Sequence, residues 1–283
     1  MYGVSILIVW VSTDKINTGT IQVGTMTAFI TYSMQIVMAF LMITMFSVML
    51  PRASVSAERI DEVLNTKVSI EDKPDTNANP VANGEVAFEH VSFAYPGAKE
   101  NVLEDISFVA KTGQTTAIIG GTGSGKTTLV NLIPRFFDVT KGKVMVDGTD
   151  IREMSQESLR EAIGYVPQKG VLFSGTIASN LRYGKEDATK EQVMDAACIA
   201  QAKEIIDGKK DGLDSAIAQG GSNVSGGQKQ RFSIARAIVK DPKIYIFDDS
   251  FSALDYKTDA ILRRELSKKT KEAAVIIVAQ RIS

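Results

Sequence analysis

The most informative segment of the chain is Gly120-Gly121-Thr122-Gly123-Ser124-Gly125-Lys126-Thr127-Thr128. An apolar run, Ala117 to Ile119, precedes it, and a segment of helical character, Leu129 to Ile133, follows it. Glycines allow the backbone to turn its N–H groups towards a polyphosphate, and Lys126 supplies a cation that reaches the same group. Thr127 offers a hydroxyl to Mg²⁺, and the N-terminus of the following helix adds the positive end of its dipole. The segment therefore predicts a nucleotide-binding pocket.

The composition limits the classes of protein to which the chain can belong. Its 283 residues, of which 44% are hydrophobic, are enough for one sizeable core and something smaller. The net charge of -1 leaves no basic excess, and we therefore expect no nucleic-acid partner. The single cysteine, Cys198, excludes an internal disulfide, and we expect its thiol to be buried and inert. The single histidine, His90, is expected in a strand or turn rather than as a metal ligand.

The charges are unevenly distributed, because the segment from Ile16 to Pro51 contains no acidic or basic residue. Within it, Met26 to Leu50 is long and apolar enough to cross a bilayer, which takes about 20 residues. Arg52 and Arg59 follow as a cationic flank. The alternative is a buried helix of a soluble protein, but the run is too long for an ordinary core helix. We expect attachment to the cell membrane, with the bulk of the chain in the cytoplasm.

Three regions follow from the order of these patterns. Residues 1–64 are expected to form a transmembrane part, in which Val4 to Val11 resembles the end of one apolar helix, broken by Ser12 to Gly19. Beyond Pro51, apolar residues continue at helical spacing, which indicates a helix that leaves the membrane. Residues 65–84 carry two prolines and little periodicity, so we place a linker there. Residues 85–283 are then one domain.

Within this domain, strand-like runs alternate with helical patterns. The predicted strands are Val86 to Tyr95, Ile106 to Ala110, Gln114 to Ile119, Lys143 to Val146, Lys243 to Phe247 and Ala274 to Ala279. The predicted helices are Gln156 to Ala162, one that begins after Thr189, and one that begins after Ser225. This alternation around a phosphate loop predicts a mostly parallel α/β sheet with the ligand at the strand ends.

Two further segments point to the same chemistry. The buried strand Ile244 to Phe247 ends in Asp248 and Asp249, and a carboxylate at this place can hold Mg²⁺ beside the phosphate loop. Asp248 is the expected metal-site residue. The segment Ser225-Gly226-Gly227-Gln228 opens a helix and exposes free N–H groups and a hydroxyl at its positive end. Two phosphate-binding surfaces in one chain are explained if two chains meet head to tail, each contacting the nucleotide of the other.

From about Val86 to Ser283, the chain resembles the nucleotide-binding domain of ATP-binding cassette (ABC) exporters. The matching motifs are Gly120 to Thr128 (Walker A), Ile244 to Asp248 (Walker B) and Asn223 to Gln228 (signature), the last with Val224 where leucine is commonest. The resemblance implies a P-loop NTPase fold with a mostly parallel sheet plus antiparallel β and helical subdomains. It also implies ATP and Mg²⁺ as cofactors.

The resemblance also assigns roles to single residues. Tyr95 corresponds to an aromatic residue that stacks on adenine, and Gln168 to a glutamine that senses Mg²⁺ and the attacking water. Ser252-Ala253-Leu254-Asp255 resembles the loop through which two nucleotide sites communicate. Residues 1–64 resemble the end of the fifth and the whole sixth membrane helix of an exporter. The chain is accordingly expected to be a fragment or a truncated form.

Two positions depart from the family pattern. Asp249 stands where the family has a glutamate that polarises the attacking water, and Gln280 stands where it has a histidine that contacts the γ-phosphate. The shorter side chain withdraws the carboxylate by roughly 1 to 1.5 Å, and misplacement of about 1 Å can cost on the order of a hundredfold in rate. Gln280 can hydrogen-bond but cannot carry a charge. We therefore expect this chain to bind ATP well, to hydrolyse it poorly and to complete the competent site of a different subunit.

Several alternatives remain open at the level of the sequence. The chain could be half of a homodimeric exporter that works as a slow ATPase, or a non-transport ATP-dependent regulator or DNA-associated ATPase of the same superfamily. A kinase with a similar loop would leave Ser225 to Gln228 without a purpose. The expected partners are a second transporter subunit, membrane lipid and an exported substrate. Drugs, lipids and peptides are all possible substrates.

Overall fold

The computed structural model describes residues 2–74, 76 and 80–280, and it divides into two units, Met1–Ser69 and Ile70–Ser283. The division falls within the segment expected to be a linker. Positions 75 and 77–79 of that predicted linker lie outside the described residues.

The first unit consists of two helices, α1 (Tyr2–Asn17) and α2 (Val23–Leu64). Within the described residues, α2 is the one helix long and apolar enough to cross a membrane, with a mean hydropathy of 2.0 over an 18-residue window of which none is buried. It contains the predicted span and continues through Pro51. Proline removes one hydrogen bond from a helix, and membrane helices tolerate this loss because neighbouring groups can satisfy the freed carbonyl.

The break predicted over Ser12 to Gly19 begins later than expected, because α1 continues to Asn17 and only residues 18–22 separate it from α2. Thr13 lies within the helix, and its hydroxyl donates a hydrogen bond to the carbonyl of Val9 at 2.7 Å. A threonine hydroxyl that bonds to the carbonyl four residues earlier is satisfied within the helix and does not end it.

The second unit contains ten strands and seven α-helices within the described residues. The strands are β1 (Val86–Phe93), β2 (Leu103–Ala110), β3 (Thr115–Ile119), β4 (Lys141–Val146), β5 (Thr149–Asp150), β6 (Ile163–Val166), β7 (Gly175–Thr176), β8 (Ala216–Ile217), β9 (Ile244–Asp248) and β10 (Ala274–Ala279). The helices are α3 (Lys126–Leu132), α4 (Gln156–Glu161), α5 (Ile177–Arg182), α6 (Lys190–Ile199), α7 (Lys203–Asp207), α8 (Gly226–Lys240) and α9 (Tyr256–Lys269).

The strands form a parallel sheet of order β3-β10-β9-β6, an antiparallel sheet of order β2-β1-β4-β5, and the short antiparallel pair β7-β8. Strand β9 lies inside the parallel sheet and is buried on both faces. Ile244 and Ile246 pack in the core shared with the antiparallel sheet and α3, whereas Tyr245 and Phe247 pack in the core shared with α8. Burial on both faces explains why β9 is a continuous apolar run. The predicted fold class, with its antiparallel and helical parts, is confirmed.

The predicted strands and helices all exist, with ends that shift by a few residues, but several elements were missed. Helix α9 is largely polar and buries only Leu262 and Leu266, so its apolar periodicity is weak. Strand β6 has only four residues and follows α4 almost directly. Both elements depend on neighbours that the local sequence does not reveal.

The expectation for Cys198 is wrong, because its side chain is exposed. Helix α6 buries Val193, Ala196 and Ala197, and the next position turns away from that face by about 100° of helix rotation. His90 lies in β1, as predicted, and its Nδ1 contacts the Asp105 carboxylate at 2.7 Å.

The carboxylate of Asp147 fixes the segment that leads into β1. Its Oδ2 accepts hydrogen bonds from the N–H groups of Ala82 and Asn83, and its Oδ1 accepts from those of Gly84 and Glu85, all at 2.9 Å. A carboxylate that accepts several backbone N–H groups forms charge-assisted bonds, which are stronger than neutral ones. This one side chain therefore sets the path of the chain at the start of the antiparallel sheet.

We expect Asp147→Asn to lower the free energy of unfolding of the second unit by about 1 to 3 kcal/mol, because the amide keeps one acceptor oxygen for four donors. Asparagine suits the left-handed backbone of this position (φ 48°), so the variant tests the hydrogen bonds rather than the turn. The measurement is a urea titration followed by circular dichroism. Asp195→Asn, on the exposed side of α6, is the control. Equal stability of both variants would contradict the role of Asp147.

Candidate functional site

The phosphate loop connects β3 to α3 and turns sharply at two glycines. Gly123 and Gly125 have φ values of 81° and 83°, in the left-handed region that favours glycine. The Nζ of Lys126 donates hydrogen bonds to the carbonyls of Gly120 at 2.8 Å and Gly121 at 2.6 Å. The lysine side chain therefore folds back over the loop, and its charge lies beside the carbonyls of Gly120 and Gly121 at the start of the loop.

The open side of this loop leaves room for a ligand. A Cβ placed on Gly121 or on Gly123 would meet no atom within 4 Å. Space next to backbone that carries no side chain permits the close approach that a phosphate group requires. The carbonyl contacts of Lys126 are bonds that phosphate oxygens can replace with stronger, charge-assisted ones. The loop therefore fits a polyphosphate.

Asp248 stands at the carboxyl end of β9 and connects this strand to the phosphate loop. Its Oδ1 accepts a hydrogen bond from the Thr127 hydroxyl at 3.1 Å, and the residue is only 2% exposed. Burial raises the pKa of the Asp248 carboxyl above its usual range, and the charge of Asp249 adds to this. The hydrogen bond from Thr127 and the charge of Lys126 act in the opposite direction. A buried carboxylate beside a threonine hydroxyl at this edge of the sheet is well placed to bind a cation.

Asp249, the next residue, is held by two side-chain amides. Its Oδ2 accepts hydrogen bonds from Nε2 of Gln168 at 3.2 Å and from Nε2 of Gln280 at 2.9 Å. Its backbone is left-handed (φ 48°), and its N–H donates to the carbonyl of Val278 at 3.1 Å. The sequence placed Asp249, Gln168 and Gln280 in one site, and the fold brings these three side chains into direct contact.

These residues surround one cavity of about 240 Å³. It is lined by Val102, Thr122, Gly123, Ser124, Gly125, Lys126, Thr127, Thr128, Gln168, Asp248, Asp249, Val278 and Gln280. The phosphate loop forms one side of the cavity, and the ends of β9 and β10 form the other. Val102 is a lining residue that the sequence analysis did not identify, because nothing distinguishes it locally from a strand residue.

Tyr95 does not belong to the residues described as lining this cavity. It is half-buried, and its hydroxyl lies 2.9 Å from Oγ1 of Thr128, one residue beyond the metal-site threonine. The edges of Phe93 and Phe137 pack against its ring, with centroids 5.0 and 5.3 Å away. The ring is thus fixed next to the loop, and a role in stacking on adenine stays a prediction.

The segment from Ser225 to Gln228 also lies outside the described lining of the cavity. Oγ of Ser225 accepts from the N–H of Gln228 at 3.3 Å, and Oε1 of Gln228 accepts from the N–H of Ser225 at 3.0 Å, which is a capping box at the start of α8. A Cβ on Gly226 would meet no atom within 4 Å, whereas one on Gly227 would lie 3.3 Å from the carbonyl of Ala253. The segment therefore presents an open, exposed helix start.

The donor set beside the loop fits Mg²⁺. Thr127 offers a hydroxyl, Asp248 a carboxylate and Gln168 an amide oxygen, since the Gln168 nitrogen donates to Asp249. No group of three or more His, Cys, Asp or Glu side chains suited to a metal occurs among the described residues. In nucleotide sites Mg²⁺ takes one or two carboxylates together with water and phosphate oxygens, so a single carboxylate is sufficient.

Sequence reasoning missed Tyr165 and Asn131, which lie near Asp248 and are hydrogen-bonded to each other. The Tyr165 hydroxyl donates to Oδ1 of Asn131 at 2.9 Å. Burial and the charge of Asp248 raise the pKa of this phenol. Neither residue belongs to a motif with a known spacing, so only the fold could find them.

The parallel sheet, the phosphate loop at the end of β3 and the acidic end of β9 define a P-loop nucleotide-binding domain. The family model described as "ABC transporter" matches residues 103–252, more than half of the chain. The chain therefore belongs to the ABC transporter family.

Bacterial proteins are among those similar to this chain. It is 49% identical to an uncharacterized ABC transporter ATP-binding protein of Mycobacterium bovis, over 99% of this chain and 48% of the relative. It is 40% identical to a putative multidrug export ATP-binding/permease protein of Bacillus subtilis, over 94% of this chain and 46% of the relative. The chain thus spans about half the length of the curated relatives that it matches.

The chain is also similar to a solved structure of an ABC exporter. The structure of a bacterial Atm1-family ABC exporter with ATP bound superimposes with a TM-score of 0.76 at 32% sequence identity. The match covers 93% of this chain and 46% of that chain.

Proposed function

We propose that this chain is the ATP-binding part of one subunit of an ABC-type export transporter, and that its own site binds ATP but hydrolyses it slowly. The membrane part is residues 1–64, the linker residues 65–84 and the cytoplasmic nucleotide-binding domain residues 85–283. In this proposal the second subunit is a different protein, and the signature segment of this chain completes the hydrolytic site of that partner.

The observation that carries the proposal is the hydrogen bonding of the Asp249 carboxylate. One of its two carboxylate oxygens, Oδ2, already accepts hydrogen bonds from Gln168 and Gln280. A water must compete with two amide donors for this oxygen, and the shorter side chain places it farther from the ligand than a glutamate would. Gln280 provides neither a base nor a positive charge. Both replacements therefore act against hydrolysis.

Binding, in contrast, depends on groups that are intact. The glycines of the loop leave space for the phosphates, and Lys126 supplies a cation beside them. Thr127 and Asp248, which are hydrogen-bonded to each other, would hold Mg²⁺, which neutralises phosphate charge when it is bound. Because hydrolysis and binding rely on different residues, loss of one is compatible with retention of the other.

The open start of α8 supports a role in another subunit's site. Ser225 and Gly226 are exposed and lie apart from the cavity of their own chain, and a helix N-terminus attracts phosphate through free N–H groups and the helix dipole. The relative from Bacillus subtilis, named as a putative multidrug export protein, and the superimposed exporter structure support a function in export. The apolar helix α2 is consistent with attachment to a membrane.

Turnover by the chain alone and together with its partner tests the whole proposal. The purified chain in detergent should bind ATP in the presence of Mg²⁺ and show little turnover. The assembled pair should hydrolyse ATP at a rate that depends on the partner's own phosphate loop. Fast hydrolysis by the chain alone would favour a homodimeric exporter, and absence of ATP binding would overturn the proposal.

Lys126→Ala is expected to weaken ATP binding to the isolated chain by about ten- to a hundredfold. Loss of a charge-assisted hydrogen bond costs about 1.5 to 3 kcal/mol, and each 1.4 kcal/mol is a factor of ten in affinity. Titration with a fluorescent ATP analogue measures the change. The control is Lys111→Ala, an exposed lysine between β2 and β3. If both variants bind ATP as the wild type does, the phosphate loop is not the binding site.

A further inference from the structure

A single buried glutamine, Gln230, joins helix α8 to the loop that carries Gln168. This loop follows β6, and its residues Gln168 and Lys169 are exposed, whereas Gln230 is only 1% exposed. Oε1 of Gln230 accepts a hydrogen bond from the N–H of Gly170 at 2.9 Å, and its Nε2 donates to the carbonyl of Pro167 at 3.1 Å. The two ends of one amide therefore bind the residues before and after the exposed pair.

Close packing also brings the end of this loop against α8. A Cβ placed on Gly170 would lie 2.8 Å from the backbone carbonyl of Lys229 and 2.9 Å from Oγ of Ser233. Any side chain at this position would force the loop or the helix to move, so the contact requires a glycine. Gln230 lies between Lys229 and Ser233 in the helix, and its amide therefore acts where the loop and the helix touch.

The start of the loop is fixed by the residue that follows Asp249. The hydroxyl of Ser250, which is fully buried, donates to the carbonyl of Val166 at 2.9 Å. Val166 is the last residue of β6 and directly precedes Pro167. Between these anchors, the exposed side chain of Gln168 reaches Asp249 at 3.2 Å. Because packing around Gln168 itself is sparse, the backbone anchors on both sides determine where its amide lies.

We propose that Gln230 is a positioning residue that holds Gln168 at the Mg²⁺ side of the nucleotide cavity. This inference rests on the proposed nucleotide site, in which Gln168 offers its amide oxygen to the metal. Partners that orient a metal ligand typically change metal affinity by ten- to a hundredfold when they are removed. Helix α8 begins at the open segment Ser225 to Gln228. The same helix thus supports the segment offered to a partner and the Gln168 loop of its own cavity.

The test is Gln230→Met in the full chain, which keeps the length of the side chain and removes both hydrogen bonds. We expect the Mg²⁺ concentration required for half-maximal binding of a fluorescent ATP analogue to rise about tenfold, with little change in affinity without Mg²⁺. Gln168→Ala should raise this requirement by a similar factor. The double variant should be little worse than Gln168→Ala alone, because Gln230 acts through Gln168.

The chain contains a matched control for the loss of a buried amide. Asn180 in α5 is 3% exposed, and its side chain holds Phe173 by the same pair of bonds. Its Oδ1 accepts from the N–H of Phe173 and its Nδ2 donates to the carbonyl of Phe173, both at 2.8 Å. Phe173 is not among the described residues that line the cavity. Asn180→Leu should therefore lower the melting temperature and leave the Mg²⁺ requirement within twofold of the wild type.

A second variant displaces the loop and leaves Gln230 in place. Gly170→Ala puts a methyl group against the backbone of α8 and should also raise the Mg²⁺ requirement. A requirement within twofold of the wild type for Gln230→Met or for Gln168→Ala would overturn the inference. An equal rise in Asn180→Leu would overturn it too, because the effect would then come from a general loss of stability. Absence of ATP binding in the wild type would instead overturn the proposed function.

Discussion

Gly226→Asp in this chain is expected to reduce ATP turnover of the assembled pair by at least about a hundredfold, while the isolated chain still binds ATP in its own cavity. The expected size follows from the role of preorganised N–H donors at a developing charge, where loss of one donor costs about 10²- to 10³-fold. A carboxylate at this helix start replaces attraction of phosphate by repulsion. Because a side chain at Gly226 would meet no neighbouring atom, folding should not suffer.

The chain contains a matched control for this variant. Helix α6 begins with the same capping box as α8, formed by Thr189 and Gln192, and Lys190 occupies the position that corresponds to Gly226. Lys190→Asp therefore places the same carboxylate at the same position of an equivalent helix and should leave turnover nearly unchanged. Unaltered turnover of the Gly226 variant would mean that the signature segment serves no partner. Loss of ATP binding by the isolated variant would mean that the segment acts on its own chain's nucleotide.

The combined change Asp249→Glu and Gln280→His is expected to raise ATP turnover by about ten- to a hundredfold in the assembled pair. Glutamate extends the carboxylate by roughly 1 to 1.5 Å, and correction of a misplacement of about 1 Å is worth on the order of a hundredfold. Histidine supplies a group that can carry charge near neutral pH.

The effects of the two single variants on ATP turnover should not add up to the effect of the double variant. Gln280 donates to Asp249 at 2.9 Å, so each replacement changes the surroundings of the other, and residues in direct contact are generally coupled. The control is Lys126→Ala added to the double variant, which should remove the gain, because the gain must come from this chain's own cavity. A double variant no faster than the wild type would show that other residues limit hydrolysis at this site.

The local sequence predicted much of the nucleotide site because its parts are continuous. The phosphate loop is one segment whose glycines, lysine and threonine can be recognised from their spacing. The strand that ends in Asp248 is an uninterrupted apolar run, as expected for a strand buried on both faces. The capping box at Ser225 is also local, since its two hydrogen bonds join residues three apart.

Other features could not be predicted from the local sequence. Helix α9 was missed because its polar sequence buries two leucines only. The side chain of Cys198 was expected in the core and lies on the exposed side of α6, since the exposure of a single residue depends on the face that the helix packs. The hydrogen bonds that four backbone N–H groups donate to the Asp147 carboxylate join residues more than 60 positions apart in the sequence.

The sequence by itself determined the family resemblance, the apolar segment, the phosphate loop and the two unusual residues Asp249 and Gln280. Only the tertiary structure decided that both amides, from Gln168 and Gln280, bond to the same oxygen of Asp249, and that Tyr165 stands beside Asp248. The physical reason is the order of the parallel sheet. It places β6, β9 and β10 side by side although 77 residues lie between Val166, the end of β6, and Ile244, the start of β9, and the ends of these strands meet at one edge.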